Sequence, residues 1–231
     1  MGNHNFNHWS KVASKGLESA CLYNANRRVK PSQVKATPNV LEHIGNENQK
    51  LIVLDFGCGF GRNAYHWAME RPNWLFFGYD CPEMLNNSLE YHQIHYGPAA
   101  LHPSNLTFEA NWNSIMSKFY DVVVADNVFG HIQNNEEVRE ILNEMYTKCS
   151  NLIVVNDPAG VSKIAEILGD SREEKILSDD IVRFTLKPTE TPKETPVATP
   201  DETPVATPEE TPVETPTETP EVKKKEPEDN Q

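Results

Sequence analysis

Three aspartates each close an apolar run: Asp55 follows Leu51–Leu54, Asp80 follows Trp74–Tyr79, and Asp126 follows Tyr120–Ala125. A carboxylate at the carboxyl end of a parallel strand faces the crevice where ligands bind in open α/β sheets. Between the first two acids stand Gly57, Gly59 and Gly61. Residues without a Cβ let the backbone turn sharply and approach a ligand closely. Asp80 lies 19 residues beyond Gly61, the separation at which an acid accepts hydrogen bonds from ribose hydroxyls. Strand, glycine loop, helix and second acid together read as a site for a nucleoside-containing ligand. A dinucleotide fingerprint needs G-x-G-x-x-G, and Arg62 stands where its third glycine belongs. A phosphate-cradling loop needs G-x-x-x-x-G-K-[ST], and this loop has no such lysine. The ligand is therefore expected to lack a pyrophosphate.

The elements that carry these residues follow from hydrophobic periodicity. Leu51–Leu54 is aliphatic throughout, as in a strand buried on both faces of a parallel sheet. Strands are expected at 51–54, 74–79, 106–110, 120–125 and 152–155, with a terminal hairpin pairing 175–177 with 181–186. Helices are expected over 8–23, 39–44, 63–70, 82–95, 135–149 and 159–168, with a polar connector over 27–38. Pro82 suits a first helical turn, and Val138, Ile141, Leu142 and Met145 recur at helical spacing. Alternating strands and helices imply a doubly wound, mostly parallel α/β sheet of seven strands, or six, with helices on both faces.

At these residues the chain resembles the class I S-adenosylmethionine-dependent methyltransferases. D-F-G-C-G-F-G, Asp55–Gly61, matches their D/E-x-G-x-G-x-G loop. G-Y-D-C-P-E-M-L, Gly78–Leu85, is similar to their ribose- and adenine-binding stretch, and F-Y-D-V-V-V-A-D-N-V-F-G-H-I, Phe119–Ile132, to their fourth strand and the loop after it. The resemblance spans Lys50–Pro158. It implies S-adenosyl-L-methionine as cofactor, held by Asp55, Gly57, Cys58, Gly59, Gly61, Asp80, Cys81, Met84, Asn111, Trp112 and Asp126. Asp55 caps the loop and faces the cofactor's amino-acid end; Asp80 takes the ribose. Met84 either covers the adenine or is an ordinary core methionine. Asn111 stands where the family commonly has an aspartate bonding the adenine amino group, and its amide oxygen still accepts. Trp112 either stacks on the base or covers the sheet edge. Asp126 bonds the cofactor ammonium or the methyl acceptor. His131 is a candidate base, since an unperturbed histidine titrates near pH ~6.5; the alternative is a histidine that packs its loop. The catalytic residue is left open between these two. The family's proline-glycine-glycine turn before the fifth strand is replaced by Lys148-Cys149-Ser150-Asn151, and about 30 residues separate that strand from Lys187.

Composition divides the chain near Lys187. Beyond it Thr-Pro recurs every four residues, from Thr191-Pro192 to Thr219-Pro220. With almost no large apolar side chains, residues 188–231 are expected to be a disordered, polyproline-like acidic tail. They carry 4 Lys and 12 Asp+Glu, a net of −8 of the chain's −13, leaving −5 for residues 1–187. That folded part, with an N-terminal helical lid over about 8–45, is long enough to bury roughly 70% of its unfolded surface. Its mild acidity argues against a nucleic-acid footprint, and Asn-Pro-Pro-aromatic is absent. No leader or membrane-length apolar run is visible. The cysteines Cys21, Cys58, Cys81 and Cys149 show no metal or disulfide spacing, so no metal and a reducing, cytoplasmic setting are expected. His92, His95 and His102 are too irregularly spaced for a metal site and are expected at the surface. The expected activity is methyl transfer to a small-molecule acceptor by in-line displacement. An interaction module working through its Pro-rich tail, or a non-methylating enzyme using the same cofactor, are the other readings. The acceptor and the oligomeric state are left open.

Overall fold

The computed structural model describes residues 7–22, 30–37, 40–99 and 101–186. The Thr-Pro segment, and residues 23–29 between the expected N-terminal helix and the polar connector, lie outside them. Seven strands form one sheet: β1 (Ile52–Phe56), β2 (Leu75–Tyr79), β3 (Leu106–Glu109), β4 (Val122–Asp126), β5 (Asn151–Val155), β6 (Arg172–Ser178) and β7 (Ile181–Leu186). Their order is β3-β2-β1-β4-β5-β7-β6. The first five run parallel, and β7 is inserted antiparallel to both β5 and β6. The order reverses between β1 and β4, at the switch point where open α/β sheets hold ligands.

Alternation along the strands explains why helices cover both faces. Val53 points into one core with Val124, Ile153, Trp67, Trp74 and Phe76. Its neighbours Leu54 and Phe56 point into the other, with Val123, Val154, Ile141, Leu142 and Phe184. The first core is covered by α1 (Asn7–Ala13), α2 (Leu17–Leu22), α3 (Val40–Ile44), α4 (Arg62–Glu70), α5 (Pro82–Leu85) and α6 (Ser88–Tyr96). The second is covered by α7 (Trp112–Ile115), α8 (Asn135–Tyr146) and α9 (Pro158–Leu168).

The elements differ from the sequence reading in four places. The helix expected over 8–23 is two helices, broken at Gly16, whose φ of 97° no helix accommodates. The helix expected over 82–95 breaks at Asn86-Asn87. There the Asn87 amide donates to the carbonyls of Glu83 (2.8 Å) and Ala13 (3.2 Å), tying α5 to the N-terminal helices. A short helix, α7, follows β3, because Asn111 caps it by accepting from the Ser114 N–H. Finally, β6 begins at Arg172 rather than Lys175. Its exposed edge pattern of charged side chains conceals a strand from periodicity, and charged edges are a common guard against edge pairing.

Candidate functional site

The glycine loop connects β1 to α4. Gly57, Gly59 and Gly61 all lie at positive φ, at 69°, 60° and 83°. A Cβ on Gly57 would stand 2.6 Å from Cγ2 of Val128, so this glycine lets the loop after β4 close against it. A Cβ on Gly59 would meet nothing within 4 Å, because Gly59 borders an open cavity. The loop is pinned by its neighbouring strand: the Gly57 and Cys58 N–H groups donate to the Tyr79 carbonyl, at 2.8 and 3.1 Å.

Asp80, at the tip of β2, is 6% exposed and holds the loop from the other side. One of its oxygens accepts from the Gly59 N–H and the other from the Cys81 N–H, both at 2.7 Å. A carboxylate has about four lone-pair sites, and Asp80 borders the cavity. Burial pushes its carboxyl above the ordinary range, opposed by those two N–H groups.

Asp55 lies at the floor of the same cavity and is 2% exposed. Burial pushes its carboxyl well above the ordinary range, the Asp126 carboxylate adds to this, and the Arg62 guanidinium opposes it. Its Oδ2 is buried with no hydrogen-bond partner. A buried carboxylate oxygen without a donor costs several kcal/mol in principle. A positive donor arriving from the cavity offsets that cost.

Asp126, at the tip of β4, is already bonded. Its Oδ2 accepts from Thr37 Oγ1 (2.5 Å) and Asn63 Nδ2 (2.8 Å) and pairs with Arg62, while Oδ1 accepts from Asn156 Nδ2 (3.0 Å). The Thr37 N–H in turn donates to Asn63 Oδ1 at 2.9 Å. Asp126 therefore joins the segment before β1, the first turn of α4 and the end of β5. A carboxylate so engaged is a structural hub, and its Oδ1, with one donor, keeps a lone pair. Asn156 and Asn127, directly after β5 and β4, adopt left-handed φ values of 50° and 58°, a conformation asparagine tolerates better than most residues.

The cavity measures about 440 Å³, within the range of roughly 300–1,000 Å³ typical of small-molecule sites. Besides the acids it is lined by Cys58, Met84, Arg62 and Asn63, by the turn carrying Val128 and His131, and by His8 and Trp9 of α1. The Trp9 and His131 rings meet edge to face, centroids 5.3 Å apart. Of the residues expected to bind cofactor, Asp55, Gly57, Cys58, Gly59, Asp80, Met84 and Asp126 come together here.

Gly61, Cys81, Asn111 and Trp112 do not line the cavity. Gly61 sits behind the loop, where a Cβ would strike Phe108 at 2.4 Å. Cys81 is 5% exposed within the first core. The Asn111 amide is engaged as the α7 cap. The Trp112 ring packs against Phe56 and Tyr79, and its indole N–H bonds Glu144, so it covers the sheet rather than facing a base. Cys58 is pushed well up by burial, Cys21 and Cys81 to about 12 and Cys149 to about 11; all four are protonated fillers. His92 is fully buried against Tyr65, ring centroids 4.3 Å apart, contrary to the surface position expected.

Sequence reasoning missed Thr37, Asn63 and Asn156. Nothing local marks them: Thr37 meets Asp126 across 89 positions of chain. Arg62 was visible only as a departure from the dinucleotide pattern.

No protein-family model and no curated protein matches the sequence. Among solved structures, the chain is similar to a candidate O-methyltransferase from Nostoc punctiforme PCC 73102, with 16% identity and a TM-score of 0.50 over 78% of this chain and 60% of that one. It is also similar to magnesium protoporphyrin IX methyltransferase from Synechocystis PCC 6803 with SAM bound, with 22% identity and a TM-score of 0.49 over 64% of this chain and 74% of that one. With its seven strands in this order and its glycine loop at the switch point, the chain has the fold of the class I S-adenosylmethionine-dependent methyltransferases.

Proposed function

We propose that this chain is an S-adenosylmethionine-dependent methyltransferase acting on a small-molecule acceptor. The observation that carries the reading is Asp55, a cavity-floor carboxylate with one buried oxygen lacking any donor. The cofactor's amino-acid end supplies the ammonium that this oxygen lacks, and its ribose supplies hydroxyls to the remaining lone pairs of Asp80. Gly59 leaves the loop backbone open to a close approach, and Met84 offers an apolar wall. The residues present therefore fit the cofactor.

S-adenosylmethionine, when bound, supplies a methyl group already activated on a sulfonium. The chain's task is to hold two reactants in line. Orientation alone recovers roughly 7–11 kcal/mol of barrier in well-aligned systems. Asp126 fixes Arg62, Asn63 and Thr37 around the site. A proton from an O–H or N–H acceptor passes to His131, which borders the cavity beside Trp9. A cavity of about 440 Å³ that receives cofactor and acceptor together leaves room only for a small acceptor group. The mild acidity of residues 1–187 fits an acceptor other than nucleic acid, and the four buried free cysteines suit a reducing, cytoplasmic compartment. Among the described residues no helix is long and apolar enough to cross a membrane.

The test is titration calorimetry with S-adenosylmethionine and S-adenosylhomocysteine, followed by transfer of a labelled methyl group to components of a small-molecule extract. Saturable binding and label transfer are expected. Absence of binding at millimolar cofactor overturns the reading.

A further inference from the structure

The turn after β4 lines the cavity, yet the side chains that hold it come from α9 and its N-cap, which contribute nothing to the cavity wall. The N–H of Gly130 donates to Oδ2 of Asp157 at 2.9 Å, and the N–H of Gly160 donates to Oδ1 at 2.9 Å. Asp157 is 5% exposed; its bond from Gly160 is buried and its bond from Gly130 partly so. One turn further along α9, the Lys163 ammonium donates to the carbonyls of Phe129 (3.1 Å) and Ile132. An anion thus holds an N–H of the turn while a cation holds two of its carbonyls. There is no slack between them: a Cβ on Gly130 would lie 2.4 Å from Oδ1 of Asp157 and 3.3 Å from the Ala159 Cβ. On its far side the turn touches the glycine loop through Val128. Below, the fully buried Phe129 ring stacks on Phe56 at 5.6 Å.

We propose that Asp157 and Lys163 are positioning residues that set the acceptor side of the cavity by clamping the Val128–Ile132 turn. The consequence for acceptors rests on the methyltransferase reading; the clamp itself does not. A residue that only capped α9 would leave the turn's dynamics and the His131 ring unaffected. The clamp makes them respond, because Phe129, Gly130 and Ile132 have their backbone groups held by α9 side chains, and His131 rides between them.

The experiment compares wild type with Lys163→Met, Lys163→Arg and Asp157→Asn. Amide exchange at Gly130, His131 and Ile132 is read by nuclear magnetic resonance. The Trp9 indole resonance, assigned with Trp9→Phe, reports the His131 contact. Calorimetry with S-adenosylhomocysteine reports the cofactor side. In Lys163→Met, exchange in the turn is expected to rise roughly tenfold or more while the strands stay protected. The Trp9 resonance moves, and cofactor affinity stays within about twofold because Asp55 and Asp80 are untouched. Lys163→Arg restores much of the protection, since its guanidinium still reaches carbonyls. Unchanged exchange and an unmoved Trp9 signal in both Lys163→Met and Asp157→Asn overturn the proposal, as does an Arg variant no better than Met. If wild type fails to bind S-adenosylhomocysteine, the proposed function falls while the exchange data still decide the clamp. Should Lys163→Met fail to fold, Asp157→Asn carries the test, because Asn offers one acceptor oxygen where Asp157 offers two to Gly130 and Gly160.

Discussion

Replacing Asp55 with asparagine is expected to move stability and ligand affinity in opposite directions. In the ligand-free protein, Asp55 is a buried carboxyl whose folded-state pKa is raised by burial and by the Asp126 carboxylate. An acid with a raised folded pKa favours the folded state below its unfolded pKa, and that contribution is lost as pH rises through the folded value. At neutral pH the unpartnered Oδ2 therefore costs stability. An amide retains an acceptor for the loop and carries no charge to desolvate. Relieving a buried unsatisfied charged group is worth about 1–3 kcal/mol or more. In a folded region of this size each kcal/mol moves Tm by roughly 2–4 °C, so Asp55→Asn is expected to melt about 3–10 °C above wild type at pH 7. The same change removes the charged acceptor for the ligand ammonium. That costs about 1.5–3 kcal/mol, or a roughly 10- to 150-fold weaker Kd for S-adenosylhomocysteine. Differential scanning calorimetry without ligand and titration calorimetry with it are the two measurements. A variant that melts lower than wild type in the free state, with an unchanged Kd, would falsify the account of Asp55 as an unpartnered acceptor awaiting a cation.

Three further outcomes are expected. Asp80→Ala strips an acceptor from the Gly59 and Cys81 N–H groups as well as from the ribose, so it is expected to lower stability by about 1–3 kcal/mol and to weaken S-adenosylhomocysteine binding by at least as much; equal affinities in calorimetry remove Asp80 from the site. Gly57→Ala and Gly59→Ala both place a Cβ at positive φ, costing about 1–2 kcal/mol, but only the former drives a methyl into Val128 at 2.6 Å; its midpoint in urea is expected to fall further, and equal midpoints contradict the packing described. His92 is fully buried and its imidazole pKa is lowered, chiefly by burial. Its stabilising neutral form is complete above the ordinary histidine value of about 6.5 and is progressively penalised as pH falls below it, so the loss of Tm between pH 7 and pH 5 is expected to shrink in His92→Leu.

What the sequence disclosed and what it hid divide along a physical line. The aliphatic runs of β1, β4 and β5 are buried on both faces, and such strands are legible because every position reports the same environment. The glycine loop and the acids at the strand tips were legible because each position has a local requirement: positive φ, or a carboxylate facing the switch point. The choice between a base and the sheet for Trp112, and the engagement of Asn111 as a cap, were hidden because the family pattern fixes only their position after β3. Whether a side chain there turns to the cavity or to the sheet depends on Glu144 and on the short helix α7, both decided elsewhere in the chain. The Asp126 hub was illegible for the same reason, since Thr37, Asn63 and Asn156 reach it from three separate elements. The break at Gly16 was open to a better reading, as a glycine inside an amphipathic run marks a possible stop.

The parallel order of the sheet also bears on how the molecule is made. β1 pairs with β4 through Val53 and Val122, and the Ile52 N–H reaches the Asp121 side chain across 69 positions of chain. Closing so long a loop is an entropic cost that only later contacts offset, and chains rich in distant pairings fold on the scale of milliseconds to seconds rather than microseconds. The floor of the cavity is assembled from the ends of β1, β2 and β4, so no stretch of fewer than about 70 consecutive residues contains it. A nascent chain emerging from the ribosome therefore has no ligand pocket until β4 has been synthesised. A ligand that binds there slows the opening of the central strands together and does not merely quiet one loop.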